Sequence, residues 1–175
     1  MKLRKITIKH ALPLAAALFA FTAIPAGADE LDPKLTVAFI TDAAHGATIR
    51  KQNYELAARK LEDARGRGIN EFYIANNLCV AYLKLGELTK AQKTCDAAVE
   101  HIEKLAGSAS RNSSYARDYE RLLAIALSNR GVVHVVSDKP EKARVDFNAA
   151  IESSAEIQQA KINLARLTEI ASATA

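Results

Sequence analysis

Small and apolar residues recur along this chain at helical spacing, and the recurrence itself repeats. Ala57, Leu61 and Ala64 are followed by Ala91, Cys95 and Ala98, then by Ala143, Phe147 and Ala150. The first step is 34 residues (91 − 57) and the second is 52 (143 − 91), one period plus 18. Residues at these offsets share one stripe of a helix, where small side chains let a second helix approach closely. A fixed period of this length marks units that cannot bury their apolar faces alone and therefore stack on neighbours.

Within the units, the pattern predicts pairs of helices. In the middle unit they span residues 72–85 and 89–104, with Gly86 closing the first as a C-terminal cap. In the last unit, Arg130 to His134 leads through Ser137, Asp138 and Lys139 to a helix that Pro140 opens, where its missing N–H costs little. Asp138 is the expected N-cap of that helix. The first unit is clear only in its second helix, residues 51–64. Gly107 to Ser114 reads as a polar loop. After it, residues 115–136 can run as one long helix capped by Ser114, so the hairpin around this loop should outreach its neighbours. Ile157, Ala160, Leu164, Leu167 and Ala171 follow helical spacing and suit a terminal helix covering the last apolar face. Residues 35–40 are apolar and β-branched, which fits an extended segment without an evident role.

These units resemble the tetratricopeptide repeat. The resemblance rests on Leu78, Tyr82, Gly86, Ala91 and Ala98 in one unit and on Gly131, Ala143, Phe147 and Ala150 in another, and it covers about residues 45–155. Ala75 and Leu127 stand where that family often has Trp, Glu103 and Ala155 where it often has Pro, Arg130 where it usually has Leu, and Cys79 where it usually has Gly. The resemblance implies an all-α, short helix-turn-helix solenoid of about two and a half repeats with a C-terminal capping helix.

The N-terminus changes the organisation. Lys2, Arg4, Lys5 and Lys9 precede an apolar run from Ala11 to Ile24, which ends in Pro25-Ala26-Gly27-Ala28. This is the layout of a cleaved secretory signal peptide, and the run is shorter than the roughly 20 residues a membrane span needs. The expected organisation is a leader over 1–28, an N-terminal segment over 29–44 and a helical repeat domain over 45–175. The leader holds four of the 24 basic residues and none of the 20 acidic ones, so the mature chain is neutral with its histidines uncharged. The sequence pI of about 9.1 thus belongs largely to the precursor. It offers no argument for a nucleic-acid partner, and no stable membrane span should remain after cleavage.

Export also bears on the two cysteines. Cys79 and Cys95 lie eight residues before and eight after a turn centred near residue 87. On antiparallel helices they should meet at the same height. The alternatives are a disulfide, which an oxidising compartment favours, and two buried thiols acting as small apolar fillers. A redox-catalytic pair would need an accessible arrangement such as Cys-x-x-Cys, which is absent.

Catalytic signatures are lacking. His45, His101 and His134 are scattered, and His134 takes the place of Tyr82 in the aligned unit, so packing is its expected role rather than metal binding. No Gly-x-Ser-x-Gly elbow, phosphate-binding glycine loop or His-Glu-x-x-His pair occurs. Carboxylates such as Glu62 and Asp63 read as solvated charges on helix faces. The expectation is a protein that is not an enzyme and takes no cofactor or metal.

Surface is what remains. The resemblance implies a concave groove lined by the first helix of each unit. It would carry Tyr73, Asn76, Val80, Leu83 and Lys84 from the middle unit and Ile125, Ser128, Val132, Val135 and Val136 from the last. Seven of these ten are apolar and only Lys84 is charged, which suits an amphipathic helix or an extended apolar segment. The expected function is a protein–protein interaction module or adaptor, exported and in a bacterial periplasm, whose partner is another protein or peptide segment. The other expectations are a self-associating structural subunit, such as a homodimer, and a small-ligand binder. Packing within the chain is a further fate for an apolar groove.

Overall fold

The computed structural model describes residues 32, 34–67, 71–108 and 115–173. The expected leader lies outside the described residues. Within them the fold is all-α: seven helices and no strand. These are α1 (Gly46–Arg50), α2 (Tyr54–Ala64), α3 (Glu71–Lys84), α4 (Leu88–Ser108), α5 (Ala116–Val136), α6 (Pro140–Ser153) and α7 (Gln158–Ala173). From α2 onward each helix packs on the next in sequence, while α3 also touches α5, and α5 also touches α7. The odd-numbered helices therefore form one layer, and α2, α4 and α6 each pack against that layer rather than on one another. No helix among the described residues is long and apolar enough to cross a membrane.

Most helix limits follow the periodicity, and the exceptions have local causes. The helix expected over 51–64 starts at Tyr54 because Asn53 caps it, its side chain accepting the Leu56 N–H at 3.2 Å. Helix α4 continues through Gly107 and Ser108, which were expected in the loop, so α4 and α5 have 21 residues each against 14 in α3 and α6. The remaining loop residues, 109–114, lie outside the described residues, the expected cap Ser114 among them, and the N-cap position of α5 falls one residue later, at Tyr115.

Asp138 does not cap α6. Lys139 holds the N-cap position and makes no side-chain cap bond, while Pro140 opens the helix as expected. Asp138 instead closes α5, with φ of 54°, where Gly86 closes α3 with φ of 72°. The two turns share their hydrogen bonds. Glu87 N–H donates to the Tyr82 carbonyl at 2.9 Å, and Lys139 N–H donates to the His134 carbonyl at 2.8 Å. This five-residue reach back is the helix-ending arrangement that needs a left-handed residue in its turn, a conformation Asp tolerates better than most.

The cysteines form a disulfide, with Cα atoms 5.0 Å apart and both side chains buried. Moving 52 residues on, Cys79 becomes Gly131 and Cys95 becomes Phe147. There the ring of Phe147 lies so close over Gly131 that a Cβ at that position would overlap it. Both units thus join their two helices at the same height, one by a covalent bond and the other by a ring seated on a bare Cα.

Candidate functional site

The layer of α3, α5 and α7 is not bare. Residues 35–40 lie across it as a non-helical strap, and each helix contributes a buried asparagine that pairs with one strap residue, α3 adding a second, Asn76. On α7, Asn163 accepts the Thr36 N–H and donates to the Thr36 carbonyl, both at 2.8 Å. On α5, Asn129 accepts the Ala38 N–H at 2.9 Å and donates to the Ala38 carbonyl at 2.7 Å. On α3, Asn77 accepts the Ile40 N–H at 2.8 Å and donates to the Ile40 carbonyl at 3.0 Å.

Each carboxamide thus satisfies both backbone groups of one strap residue. The engaged residues are 36, 38 and 40, the period of two that an extended chain presents to one side. Alternate residues of such a chain lie about 6.6 Å apart, less than the roughly 8–10 Å between packed helix axes. Three adjacent helices therefore meet successive pairs by converging their asparagine side chains on the strap.

The ends of the strap are fixed as well. Arg166 on α7 donates to Asp32 Oδ2 at 2.7 Å, and Asp32 Oδ1 accepts the Lys34 N–H at 2.9 Å. The Lys34 N–H foremost, with help from Arg166, holds the Asp32 carboxyl below its ordinary range. At the other end Asn77 Nδ2 also lies 3.2 and 3.0 Å from the Ala43 and Ala44 carbonyl oxygens, so its two hydrogens are shared among three acceptors. The chain then enters α1 through Ala44 and His45, both left-handed at φ of 43° and 57°. Between these anchors Leu35 is buried, and Val37 and Phe39 pack on the core cluster that contains Val80, Leu83 and Val132. Ala38 and Ile40 pack on the second cluster, which holds Ile125 and, at its edge, Tyr73.

Of the ten groove residues expected from sequence, nine are buried or half-buried and Lys84 alone is exposed. Val80, Leu83 and Val132 belong to the core itself, with Val135 and Val136 packed against it. Asn76 touches the strap directly, donating to the Ala38 carbonyl at 3.2 Å while its own Oδ1 accepts from Asn129 at 3.0 Å. Ser128 supports Asn163, whose Nδ2 lies 3.3 Å from the Ser128 hydroxyl.

The pattern of apolar positions did not reveal Asn77, Asn129 and Asn163, or with them the polar character of the groove. Their spacing was visible: 129 − 77 is 52 and 163 − 129 is 34, the same two steps that relate the small-residue stripes. The role of residues 35–40 escaped for a different reason, because it depends on contacts 37 to 127 positions away.

Beside the groove, Arg130 forks onto the buried Asp146, with Nε–Oδ2 2.8 Å and Nη2–Oδ1 2.7 Å. This pairing lets α5 carry an arginine where the resembled family has Leu. His134 is buried beside the same carboxylate, with Nε2 3.5 Å from Oδ2. Burial is the main force on the imidazole and lowers its pKa, with Asp146 opposing. Among the described residues no three His, Cys, Asp or Glu side chains gather to hold a metal ion.

Glu62 is not a freely solvated charge. It accepts the Tyr82 hydroxyl at 2.8 Å and pairs with Arg65 at 3.1 Å. Burial first, then this carboxylate, push the Tyr82 hydroxyl up to about 12.

No family model matches the chain, and no curated protein matches it either.

Proposed function

We propose that this protein is a non-catalytic protein-interaction module, an exported adaptor of the bacterial periplasm, built on an array similar to tetratricopeptide repeats. The observation that carries the reading is the helical wall on which asparagines from α3, α5 and α7 hold the backbone of an extended segment. Paired amide hydrogen bonds to a main chain are a recognition device, since they engage a polypeptide whatever its side chains while flanking apolar pockets supply preference. They offer nothing that would activate a nucleophile or move a proton. The disulfide supports the exported location, because such bonds persist in oxidising compartments.

The experiment is photocrosslinking in intact cells from a reactive residue at Lys84, the exposed member of the groove set, with Lys60 on α2 as a control position. The expected result is a discrete foreign protein attached from Lys84 and absent from Lys60. Attachment only to further copies of the chain would replace the adaptor with a self-associating structural subunit.

A further inference from the structure

The strap is bound as a ligand is bound. Its backbone pairs with Asn163, Asn129 and Asn77, and its apolar side chains Leu35, Val37 and Phe39 lie on the core side. Nothing in these contacts requires the strap to be continuous with the array. The asparagines read N–H and carbonyl groups that every non-proline residue carries. Residues 36–40 are only half-buried, so both sides of each hydrogen bond can return to water when the strap lifts.

The strap is held before its first rung by Asp32 on Arg166 and after its last by the link to α1. Ala44 and His45 take left-handed backbone conformations that L residues adopt at a cost. Gly46 starts α1 against the Ile40 carbonyl so closely that any Cβ there would overlap strap backbone. A single methyl group at residue 46 therefore forces the last rung of the ladder and the start of α1 apart without altering an asparagine.

We infer that residues 35–40 are an intramolecular pseudo-ligand, and that the groove receives in their place an extended segment of another protein with apolar residues at alternate positions. This deepens the adaptor reading and rests on it. The strap itself specifies the occupant: three apolar side chains two residues apart, as at Leu35, Val37 and Phe39, interleaved with residues whose N–H groups are free to donate and of which two, Ala38 and Ile40, pack on the second cluster. A segment with proline at the interleaved positions would be rejected, because each asparagine would lose its donor.

Gating follows from competition. A segment added from outside meets a site that is empty only for the fraction of time the strap is lifted, and its apparent affinity falls by that fraction. Loosening the strap should strengthen capture, and breaking the ladder should abolish it.

The test uses the full mature chain and a fluorescent peptide copying residues 34–41. Ala38→Pro removes the N–H donated to Asn129, and Gly46→Ala displaces the Ile40 rung. Each should bind the peptide about tenfold tighter than the unmodified chain. Adding Asn129→Ala to either variant should reverse the gain, and a peptide with proline at the positions of 36, 38 and 40 should not bind.

Failure of both loosened chains to bind while they keep their helical content would overturn the inference, as would their unfolding together, since the strap would then be a core element. Dimers of the loosened variants that form by exchanging straps would also overturn it, with a second copy as the occupant. A foreign protein still crosslinked from Lys84 alongside any of these failures would leave the adaptor reading standing and place its docking surface elsewhere. Peptide binding without that crosslink would uphold an exchangeable strap and remove the adaptor reading.

Discussion

Replacing both members of the Cys79–Cys95 bond by alanine offers the most direct test of how the middle unit is held. The bond closes a loop of sequence separation 16. In the chain-entropy account it removes about 10 cal/mol/K from the unfolded ensemble, or about 3 kcal/mol at 25 °C. For a domain of this size that corresponds to a fall in Tm of roughly 6–12 °C. Loss of two buried sulfurs adds a packing cost in the same direction.

Thermal unfolding followed by circular dichroism, with a urea titration at 25 °C to separate midpoint from slope, reads the effect. Because both sulfurs are buried, reductant should act on the unmodified chain only after it opens. A sample unfolded and refolded in reductant should therefore melt near the alanine variant, while one given reductant in the cold should at first melt unchanged. A variant carrying Cys79→Gly with Cys95→Phe imports the arrangement of Gly131 and Phe147 and should regain part of the loss. A double-alanine variant melting within about 2 °C of the unmodified chain would refute the entropic argument.

Other outcomes follow from single contacts. Gly131→Ala should cost about 1–3 kcal/mol by forcing the Phe147 ring aside, and Phe147→Leu in the same chain should recover part of it; equal urea midpoints for Gly131→Ala and the unmodified chain would show that the ring moves freely. Asp146→Ala should cost about 1–3 kcal/mol, since it leaves the half-buried Arg130 only its longer pairing with Asp96 at 3.6 Å, and a loss below about 0.5 kcal/mol would mean that Asp96 and water already satisfy the guanidinium. For His134 the folded-state pKa lies below the ordinary 6.5, so the unfolded chain binds the proton more readily. Stability should fall as pH drops from about 6.5 toward the lowered value, before most carboxylates titrate. His134→Phe should flatten that slope, and an identical slope in the variant would assign it to other groups.

How much of this protein was legible in its sequence differs from element to element. The helices were legible because helical periodicity, small-residue stripes and capping residues are local, each acting within a few positions. Pro140 opens α6 and Gly86 closes α3 for reasons contained in their own side chains. Asp138 was misplaced because two local roles compete for it, and the demand of α5 for a left-handed terminal residue prevailed. The facing of Cys79 and Cys95 was legible for a similar reason, since they lie symmetrically about one short turn, while the bond between them is a finding of the structure.

Sequence by itself therefore determined the helical units and their order, and brought the two cysteines of the middle one to the same height. Tertiary structure alone decided what lies on the inner layer. Residues 35–40 carry no signal that distinguishes a surface segment from a groove occupant, because their partners stand on three helices up to 127 positions away. The asparagines were equally silent one at a time, a buried carboxamide being costly until something satisfies it. Only when stacking brings α3, α5 and α7 side by side do three separate costs become one continuous row of donors and acceptors, matched to the two-residue repeat of an extended chain.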